Sequence, residues 1–314
     1  MHWLLKASIQ GVLSSLPASQ RWNYWFQRNM GSLSLSPDYI LEKLDLCNRH
    51  LENYRRFGQG DTRLPSSVIE LGTGWLPIVP IGMHLCGVKK VFTIDVQPLS
   101  NPALLTELLN VLSHMAFSEV VRVLPDACES EYLQLVEMVG QTEMFTLEQI
   151  GVTCTIGDAR GMKFQSSSLD LVVSNNTLEH IPGEVIAAIF EEFHRVLRTD
   201  GLMSHLIDMQ DHYSYFDHTL TVYHFLQHGE KFWGLVNNSL QYQNRLRISD
   251  HRALHRNASF EIVDEQTNPG DLALLREIKV AESFRGYLPT DLAATQSWIV
   301  SRPTPAPAAR PAAG

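Results

Sequence analysis

The segment VIELGTG at residues 68–74 constrains the fold of this chain more than any other. Its first four residues are apolar apart from Glu70 and predict a short buried strand. Gly72 and Gly74 predict a sharp turn at the carboxyl end of that strand, because glycine accepts positive φ and lets a ligand approach bare backbone. Residues 91–95 predict the neighbouring strand, which ends in a carboxylate. A doubly wound sheet holds a nucleoside with such a turn and acid, so a nucleoside site is predicted here.

The remaining core segments alternate between strand and helix patterns. Further strands are predicted at residues 151–156, 169–174 and 202–208, and the second of these is nearly all apolar, as buried parallel strands are. Apolar residues at helical spacing predict helices at residues 78–88, 102–115, 131–138 and 184–197, the last ended by a turn at 198–201. Such alternation builds a parallel sheet with right-handed crossovers. Two late strands, at residues 259–263 and 297–300, are expected to close the sheet antiparallel. The predicted fold class is α/β, with a doubly wound, mostly parallel, seven-stranded, Rossmann-like sheet.

This predicted sheet lies within a chain of three parts. Residues 1–60 predict an N-terminal helical cap, residues 61–302 the main domain, and residues 303–314 a disordered tail of Pro and Ala. Within the main domain, residues 209–257 break the alternation and predict an insert after strand five. The aromatic cluster at residues 21–27 suits a packed cap better than the alternative, a lid over a substrate pocket, because aromatic clusters mostly serve packing.

Composition and charge exclude several classes of protein. With 44% hydrophobic and 19% charged residues, the chain is typical of a soluble globular protein. A net charge of −9 and the lack of a dense Lys/Arg run argue against a nucleic-acid partner. No segment approaches the length of a membrane helix, and residues 1–16 are expected to form an amphipathic helix rather than a signal peptide. Four scattered cysteines without a C-x-x-C pair indicate reduced thiols and a cytoplasmic protein.

With these segments placed, residues 65–208 resemble the class I S-adenosylmethionine-dependent methyltransferases, in particular their small-molecule branch of bacterial type. Residues 70–74 resemble the first motif of that family, whose glycine turn passes beneath the methionine part of the cofactor. Asp95 matches the acid that bonds both ribose hydroxyls. The segment LEHI at residues 178–181 resembles one that is common in the small-molecule branch, in which Asn175 would line the methyl-transfer pocket.

The resemblance implies S-adenosylmethionine as the cofactor. Asp158 matches the family's acid near the adenine amino group, with Ala159 beside the ring. The implied cofactor-binding residues are Glu70, Gly72, Thr73, Gly74, Asp95, Asp158, Ala159 and Asn175. Pro77 stands where dinucleotide-binding enzymes need a third glycine for close helix–strand packing, which disfavours NAD. Two alternatives stay open: an NAD(P)-dependent oxidoreductase on a similar sheet, and a non-catalytic partner that keeps the methyltransferase fold.

Two histidines are candidate catalytic residues. A sulfonium methyl is already activated, so the enzyme mainly holds donor and nucleophile in line, and a general base helps where the acceptor carries a proton. His180 and His212 follow strands four and five, at the rim where doubly wound folds bind ligands. His180 could instead only brace its loop. Asp208, Asp217 or His218 could join His212 at a metal, but no ligand set has a firm spacing, so no metal site is predicted.

Residues 209–257 bring many aromatic and histidine side chains to the same rim. Those expected to line an acceptor pocket are His212, Tyr213, Tyr215, Phe216, Tyr223, His224, Phe225 and Trp233. Small-molecule pockets use aromatic walls with a few polar groups, whereas the alternative, a helical layer that only covers the sheet, would use more leucine. The predicted function is therefore the transfer of a methyl group from S-adenosylmethionine to an oxygen or nitrogen of a small molecule.

Overall fold

A computed structural model of the chain describes residues 3–14, 35–60, 63–238, 240 and 242–305. Seven strands form one sheet, in the order β3-β2-β1-β4-β5-β7-β6. The strands are β1 Ser67–Leu71, β2 Lys90–Asp95, β3 Val152–Ile156, β4 Leu169–Asn175, β5 Leu197–Asp208, β6 Phe260–Asn268 and β7 Gln296–Pro303. Two large apolar clusters, each combining strand and helix residues, form the core. The predicted α/β fold with a doubly wound, seven-stranded sheet is confirmed.

The sheet is parallel except at one strand. β3, β2, β1, β4 and β5 pair in parallel, whereas β7 is antiparallel to both β5 and β6. β6 therefore runs in the same direction as β5. The two late strands close the sheet, as predicted. Only β7 runs antiparallel to the other six strands, because it lies between β5 and β6 and pairs antiparallel with both.

Helices occupy most of the connections between strands. The described helices are α1 Trp3–Ser14, α2 Pro37–Phe57, α3 Ile78–Leu85, α4 Pro102–His114, α5 Phe117–Val123, α6 Glu129–Gln141, α7 Gly183–Val196, α8 Glu230–Val236, α9 Ile248–Asn257, α10 Leu272–Arg276 and α11 Pro289–Ala293. Single 3₁₀ turns lie at Glu148–Ile150, Leu178–His180, His212–Tyr215, His224–Gln227 and Glu282–Phe284. The four predicted core helices correspond to α3, α4, α6 and α7.

β5 begins earlier than predicted. Residues 198–201 belong to β5 rather than to a turn, because Leu197 already pairs with Leu169 of β4. The pairing register then shifts, so this stretch is a bulge within the strand. Gly201 lies in the bulge, where an added Cβ would lie 3.0 Å from the carbonyl oxygen of Arg198 and 3.1 Å from that of Asp170 in β4. The glycine therefore allows both a tight local bend and a close approach to β4.

α2 is part of the core and begins with a side-chain cap. Ser36 Oγ accepts a hydrogen bond from the Tyr39 backbone N–H over 3.3 Å, which satisfies one of the free donors of the first turn. Its completely buried apolar residues, spaced along one face, are Ile40, Leu44, Cys47 and Leu51. Gly82 of α3 allows the two helices to approach closely, since an added Cβ would lie 2.9 Å from Cys47 Sγ.

α1 packs against the insert after β5. The Trp3 backbone N–H donates to Asp217 Oδ2 over 3.0 Å, and the Trp3 ring lies 5.4 Å from the ring of Tyr213. Within the described residues, the predicted cap at 1–60 thus consists of two helices with different partners. The aromatic segment 21–27 and residues 306–314 of the predicted tail lie outside the described residues.

The helices α4 and α5 follow each other closely in the chain. In the described part of the chain, no single helix has the length and apolarity of a membrane span. α4 and α5 together meet that test of length and composition as a broken pair, bent by 102°.

A group of buried histidines lies in the core. His50 of α2, His205 of β5, and His251 and His255 of α9 are at most 1% exposed. Burial lowers the pKa of His50, His251 and His255 to about 3 each and that of His205 well below its ordinary value. All four rings are therefore neutral in the folded protein at ordinary pH.

We expect acid to destabilise the fold. Unfolded histidine titrates near pH 6.5, so below that pH the unfolded chain binds protons that the folded chain does not, and each buried histidine lowers the free energy of unfolding by roughly 1.4 kcal/mol per pH unit. Burial raises the pKa values of Glu70 and Glu179, so above pH 4.5 these two carboxyls make the fold more stable as the pH falls. They are outnumbered by the four buried histidines. Urea denaturation at pH 7.5, 6.5 and 5.5 measures the slope. His255→Gln should reduce the change in the free energy of unfolding between pH 6.5 and 5.5 by about 1 kcal/mol, and the exposed Asn110→Gln, which removes no titratable group, should leave it unchanged. Equal slopes in both variants would contradict the expectation.

Candidate functional site

A cavity of about 210 Å³ opens where β1 and β4 end side by side. Five of the predicted cofactor-binding residues line it, namely Glu70, Gly72, Thr73, Gly74 and Asn175. The other three, Asp95, Asp158 and Ala159, lie at or just after the ends of β2 and β3. Parallel strands bring their carboxyl ends to one edge of a sheet, so all eight predicted residues share that edge.

The glycine turn after β1 is held from two sides. Gly72 and Gly74 have φ values of 85° and 62°, in the left-handed region that glycine accepts without steric cost. An added Cβ on Gly72 would also lie 2.4 Å from Thr177 Oγ1, in the loop after β4. Thr73 Oγ1 lies 2.6 Å from Thr93 Oγ1 of β2. The turn is therefore fixed between β2 and the loop after β4, with bare backbone at the cavity.

Asp95 faces this turn. Its Oδ2 accepts a hydrogen bond from the Gly74 N–H over 3.1 Å, and its Oδ1 accepts one from the Gln97 N–H over 3.0 Å. A carboxylate oxygen has two lone pairs, so each oxygen keeps one free for a further donor. The carboxylate is thus held in one orientation at the tip of β2 and can accept from two neighbouring hydroxyls.

Glu70 carries a buried carboxyl at the base of the cavity. It is 6% exposed, and its Oε1 accepts a hydrogen bond from Asn175 Nδ2 over 3.2 Å. Burial, with the charge of Asp95 adding, raises the pKa of Glu70 to about 8 against the effect of Asn175. The carboxyl is therefore mostly protonated at neutral pH unless a cation lies beside it.

A chain of hydrogen bonds behind Asn175 fixes its orientation. Ser204 Oγ accepts from Asn53 Nδ2 over 3.1 Å and from Trp298 Nε1 over 2.8 Å. Both its lone pairs are then occupied, so its O–H donates to His50 Nδ1 over 2.8 Å. His50 consequently carries its proton on Nε2 and donates it to Asn175 Oδ1 over 3.1 Å. Asn175 must then present its amide N–H to Glu70.

The adenine end of the predicted site is more open. Asp158 is about half exposed and forms an ion pair with Arg160, whose guanidinium and backbone N–H lower the pKa of the carboxyl. Ala159 is 4% exposed and packs in the core. The Gly157 N–H donates to the carbonyl oxygen of Asp95 over 2.9 Å, which places the segment beside the tip of β2.

His180 and His212, the predicted catalytic residues, lie together. Their ring centroids are 5.0 Å apart, and the ring of Tyr215 stacks on His212 at 5.4 Å. The Tyr215 hydroxyl donates to Asp208, and Asp208 Oδ2 lies 3.4 Å from His212 Nε2. Burial raises the pKa of Tyr215, and the negative charge of Asp208 adds to this effect, so the hydroxyl keeps its proton. The structure therefore joins the loops after β4 and β5 into one polar cluster, which we call the acceptor rim.

The 3₁₀ turn Leu178–His180 is braced by the segment before α9. The Asn244 backbone N–H donates to the carbonyl oxygen of Glu179 over 2.7 Å, and His180 Nδ1 donates to the carbonyl oxygen of Tyr242 over 2.7 Å. Bonding through Nδ1 leaves the His180 Nε2 without a proton. His180 therefore braces its loop, as one interpretation of the sequence suggested, and also offers a free ring nitrogen.

Glu179 is a buried acid that the sequence did not single out. It is 1% exposed, and neither carboxyl oxygen accepts a hydrogen bond of normal geometry from the described residues. Burial raises the pKa of this carboxyl well above its ordinary value. Only its position next to His180 in the LEHI segment pointed to it.

The aromatic residues of the insert divide between two tasks. Those that pack with Trp3 of α1 in a third apolar cluster are Tyr213, Tyr223, Phe225 and Trp233, each at most 4% exposed. His224 bonds to the buried Asp211 at 3.0 Å. Lys6 of α1 covers the ring of Phe216. These six residues, which were expected to line an acceptor pocket, therefore pack with α1 or within the insert, whereas His212 and Tyr215 lie at the rim.

Comparisons with known proteins address the fold and its activity. A family model described as a methyltransferase domain matches residues 130–204. No curated protein matches the chain. A solved geranyl diphosphate methyltransferase in complex with SAM has a TM-score of 0.47 at 10% identity, over 83% of this chain and 85% of that one. A geranyl diphosphate C-methyltransferase from Streptomyces coelicolor A3(2) has a TM-score of 0.44 at 9% identity, over 82% and 77%. A putative methyltransferase from Bacillus halodurans C-125 has a TM-score of 0.41 at 14% identity, over 82% and 100%. At these TM-scores and identities, the three solved structures do not indicate which acceptor this chain uses.

The matched domain covers residues from α6 to β5, including β4 and the rim loop that follows it. With the sheet order and the glycine turn, it confirms the recognition of a class I S-adenosylmethionine-dependent methyltransferase fold. S-adenosylmethionine is accordingly the cofactor that the site serves.

We expect His50→Leu to destabilise the protein. Leucine nearly fills the volume but leaves the Ser204 O–H without an acceptor and Asn175 Oδ1 without its donor, and each unsatisfied buried group costs about 1–3 kcal/mol. The free energy of unfolding from urea denaturation should therefore fall by roughly 2–4 kcal/mol. His218→Leu, at an exposed position, is the matched control and should change it by less than about 0.5 kcal/mol. A loss of similar size in both variants would rule out this chain of hydrogen bonds.

Proposed function

We propose that this methyltransferase transfers the methyl group of S-adenosylmethionine to an oxygen or nitrogen of a small-molecule acceptor at the acceptor rim. The observation that carries the proposal is the adjacency of two sites. The cavity at the ends of β1 and β4 lies at one end of a short loop, and His180 lies at the other. Thr177, which packs against Gly72, begins that loop. Donor and acceptor would thus bind on either side of a rigid connection.

The cavity suits the methionine end of the cofactor. Glu70 has a raised pKa because its charge is buried, and a cationic ammonium group beside it would restore that charge. Lys43 of α2 lines the same cavity, where its positive charge suits a carboxylate. Gly72 and Gly74 offer bare backbone to the chain between these groups. We assign Glu70, Gly72, Thr73, Gly74 and Asn175 to this end.

The remaining contacts continue along the sheet edge. Asp95 has a free lone pair on each oxygen for the two ribose hydroxyls. Asp158 and Ala159 follow beside it and are assigned to the adenine amino group and ring face. Arg160 must share or release the Asp158 carboxylate for this contact to form.

At the rim, the residues of this chain orient the acceptor and handle its proton. The cofactor supplies an activated methyl group, so positioning is the main task and contributes up to roughly 7–11 kcal/mol. His180 donates through Nδ1 to the carbonyl oxygen of Tyr242, so its Nε2 carries no proton and can accept a hydrogen bond from the acceptor. Tyr215 and Asp208 supply a donor and a charge beside it.

The sequence alternatives receive less support. The methyltransferase-domain match opposes a nicotinamide-dependent oxidoreductase, as does Pro77, which caps α3 in place of a glycine. The intact cavity opposes a non-catalytic partner. We also propose a cytoplasmic location, supported by four free cysteines, and a small-molecule rather than nucleic-acid acceptor, supported by the net charge of −9.

Asp95→Ala tests the cofactor assignment. It removes two charge-assisted hydrogen bonds, each contributing about 1.5–3 kcal/mol, so affinity for S-adenosylhomocysteine should fall at least about tenfold. Calorimetric titration measures this, with NADH as the competing ligand. Asp45→Ala, an exposed acid on α2, is the matched control. Full affinity in a folded Asp95→Ala protein, or tight binding of NADH instead, would refute the assignment.

His212→Ala and Tyr215→Ala test the acceptor rim. Turnover should drop by about 10²-fold or more, because proton handling and orientation are lost. Affinity for S-adenosylhomocysteine should stay within about threefold, a difference of roughly 0.7 kcal/mol. Release of S-adenosylhomocysteine over a panel of phenols, carboxylic acids and amines measures turnover. If both variants keep wild-type turnover on the accepted compound, methyl transfer takes place elsewhere.

A further inference from the structure

We propose that Glu179, His180 and His212 bind a divalent transition-metal ion at the acceptor rim. One potential ligand atom from each residue lies within 4.8 Å of the other two. Ligands bound tetrahedrally at about 2.1 Å lie about 3.4 Å apart, so a closure of about 1.4 Å completes the set. The metal site is inferred from the geometry of these three residues alone. The role of the metal in catalysis rests on the proposed function.

Glu179 provides the first independent observation. Its carboxyl is almost completely buried, and neither oxygen has a hydrogen-bond partner among the described residues. The backbone N–H groups of Glu179 and Asp208 face it without forming hydrogen bonds of normal geometry. An unsatisfied buried carboxyl costs several kcal/mol unless it is protonated or coordinates a cation. Glutamate at such a position needs a physical reason, and a bound cation supplies one.

The two histidines are prepared as ligands. His180 donates its Nδ1 proton to the carbonyl oxygen of Tyr242, which fixes the ring and leaves Nε2 free. Metal-binding histidines characteristically make such a bond through their second nitrogen. His212 is 8% exposed, and its Nε2 has no hydrogen bond of normal geometry, although Asp208 lies 3.4 Å away. His212 is also held through its backbone N–H, which donates to Gln243 Oε1 over 3.1 Å.

The charge around the three ligands favours a cation. Asp208 adds a second carboxyl beside Glu179, and its oxygens accept from the Tyr215 hydroxyl and the Gln210 N–H. Among the described residues, no Lys or Arg forms an ion pair with Glu179 or Asp208. Two neighbouring buried carboxyls without a Lys or Arg partner repel each other when both are charged, and a dication between Glu179 and the histidines offsets that repulsion.

The donor set indicates the class of metal. Imidazole nitrogens suit zinc, iron, manganese, cobalt and nickel, whereas magnesium and calcium prefer oxygen ligands throughout. Two histidines and one carboxylate leave coordination positions open for a substrate atom. His180 is exposed at the rim, so the open positions face the side from which an acceptor arrives.

The metal would act on the acceptor oxygen. An acceptor hydroxyl that binds the ion loses its proton to bulk water more readily, because the ion stabilises the resulting oxyanion. A lone pair of that oxygen then forms the bond to the methyl carbon. The carbon–sulfur bond breaks, its electron pair stays on sulfur, and S-adenosylhomocysteine is released. His180 and His212 act here as ligands, and Tyr215 orients the acceptor.

Metal binding by the cofactor-free protein tests the proposal. After treatment with EDTA, the full chain is titrated with zinc chloride and, separately, with manganese chloride in a calorimeter. We expect one ion per chain, and affinity at least about tenfold weaker in Glu179→Gln and in His180→Ala. His218→Ala removes an exposed histidine six positions from His212 and should bind within about threefold of wild type. Cobalt chloride should give visible absorption bands that are lost in Glu179→Gln.

Two results would overturn the site. One is the absence of saturable binding at micromolar metal in the wild-type protein. The other is equal binding by wild type, Glu179→Gln and His180→Ala, each shown to be folded by its thermal transition; His180 is exposed, so its variant is expected to fold. S-adenosylhomocysteine binding, measured on the same samples, reports on the proposed function separately. If it binds while metal does not, the methyltransferase assignment stands and the metal site fails.

Discussion

The burial of a carboxyl near the end of β1 is the constraint on which the rest of the structure depends. Glu70 is the penultimate residue of β1, where burial raises the pKa of its carboxyl. Its partner Asn175 is on β4, and the groups that orient Asn175 come from α2, β5 and β7. One polar chain therefore ties five elements to the floor of the cofactor cavity. This explains why α2, which precedes the sheet in sequence, packs into the core instead of covering it.

The sheet could be predicted from sequence because buried parallel strands are apolar runs and glycine turns have a local cause. The positions of the rim histidines followed from the same rule, since both come directly after strand ends. His50 could not be singled out, because its partner Asn175 lies more than a hundred residues further along the chain. Glu179 could not be singled out either, because the nearby His212 lies about thirty residues further along. The bulge at residues 198–201 was missed because Leu197 already pairs with Leu169 of β4, so β5 begins before the bend, which no local pattern shows.

The insert shows how composition alone misleads. Its aromatic residues predicted a pocket, yet most of them face α1, whose Trp3 completes their cluster. An aromatic side chain buries a large area whatever it packs against, so a segment rich in tyrosine and tryptophan fits both a cover and a pocket wall. Hydrogen bonds separate the two cases here. Tyr213 and Tyr223 donate to carbonyl oxygens within the cover, whereas Tyr215 donates to Asp208 at the rim.

The close contact between Gly72 and Thr177 connects donor and acceptor. Methyl transfer requires the sulfur, the methyl carbon and the attacking atom in line, and small displacements along that line cost large factors in rate. The turn after β1 fixes one end of the line, and Thr177, two residues before Glu179, packs directly on that turn. Asn244 fixes the 3₁₀ turn after Thr177. Its backbone N–H donates to the carbonyl oxygen of Glu179, and its side-chain amide donates to that of Leu178. The position of the rim loop relative to the cavity is thus set by backbone packing and hydrogen bonds. A side chain at position 72 would collide with Thr177, so Gly72 bears on the position of the rim loop as well as on the shape of the cavity.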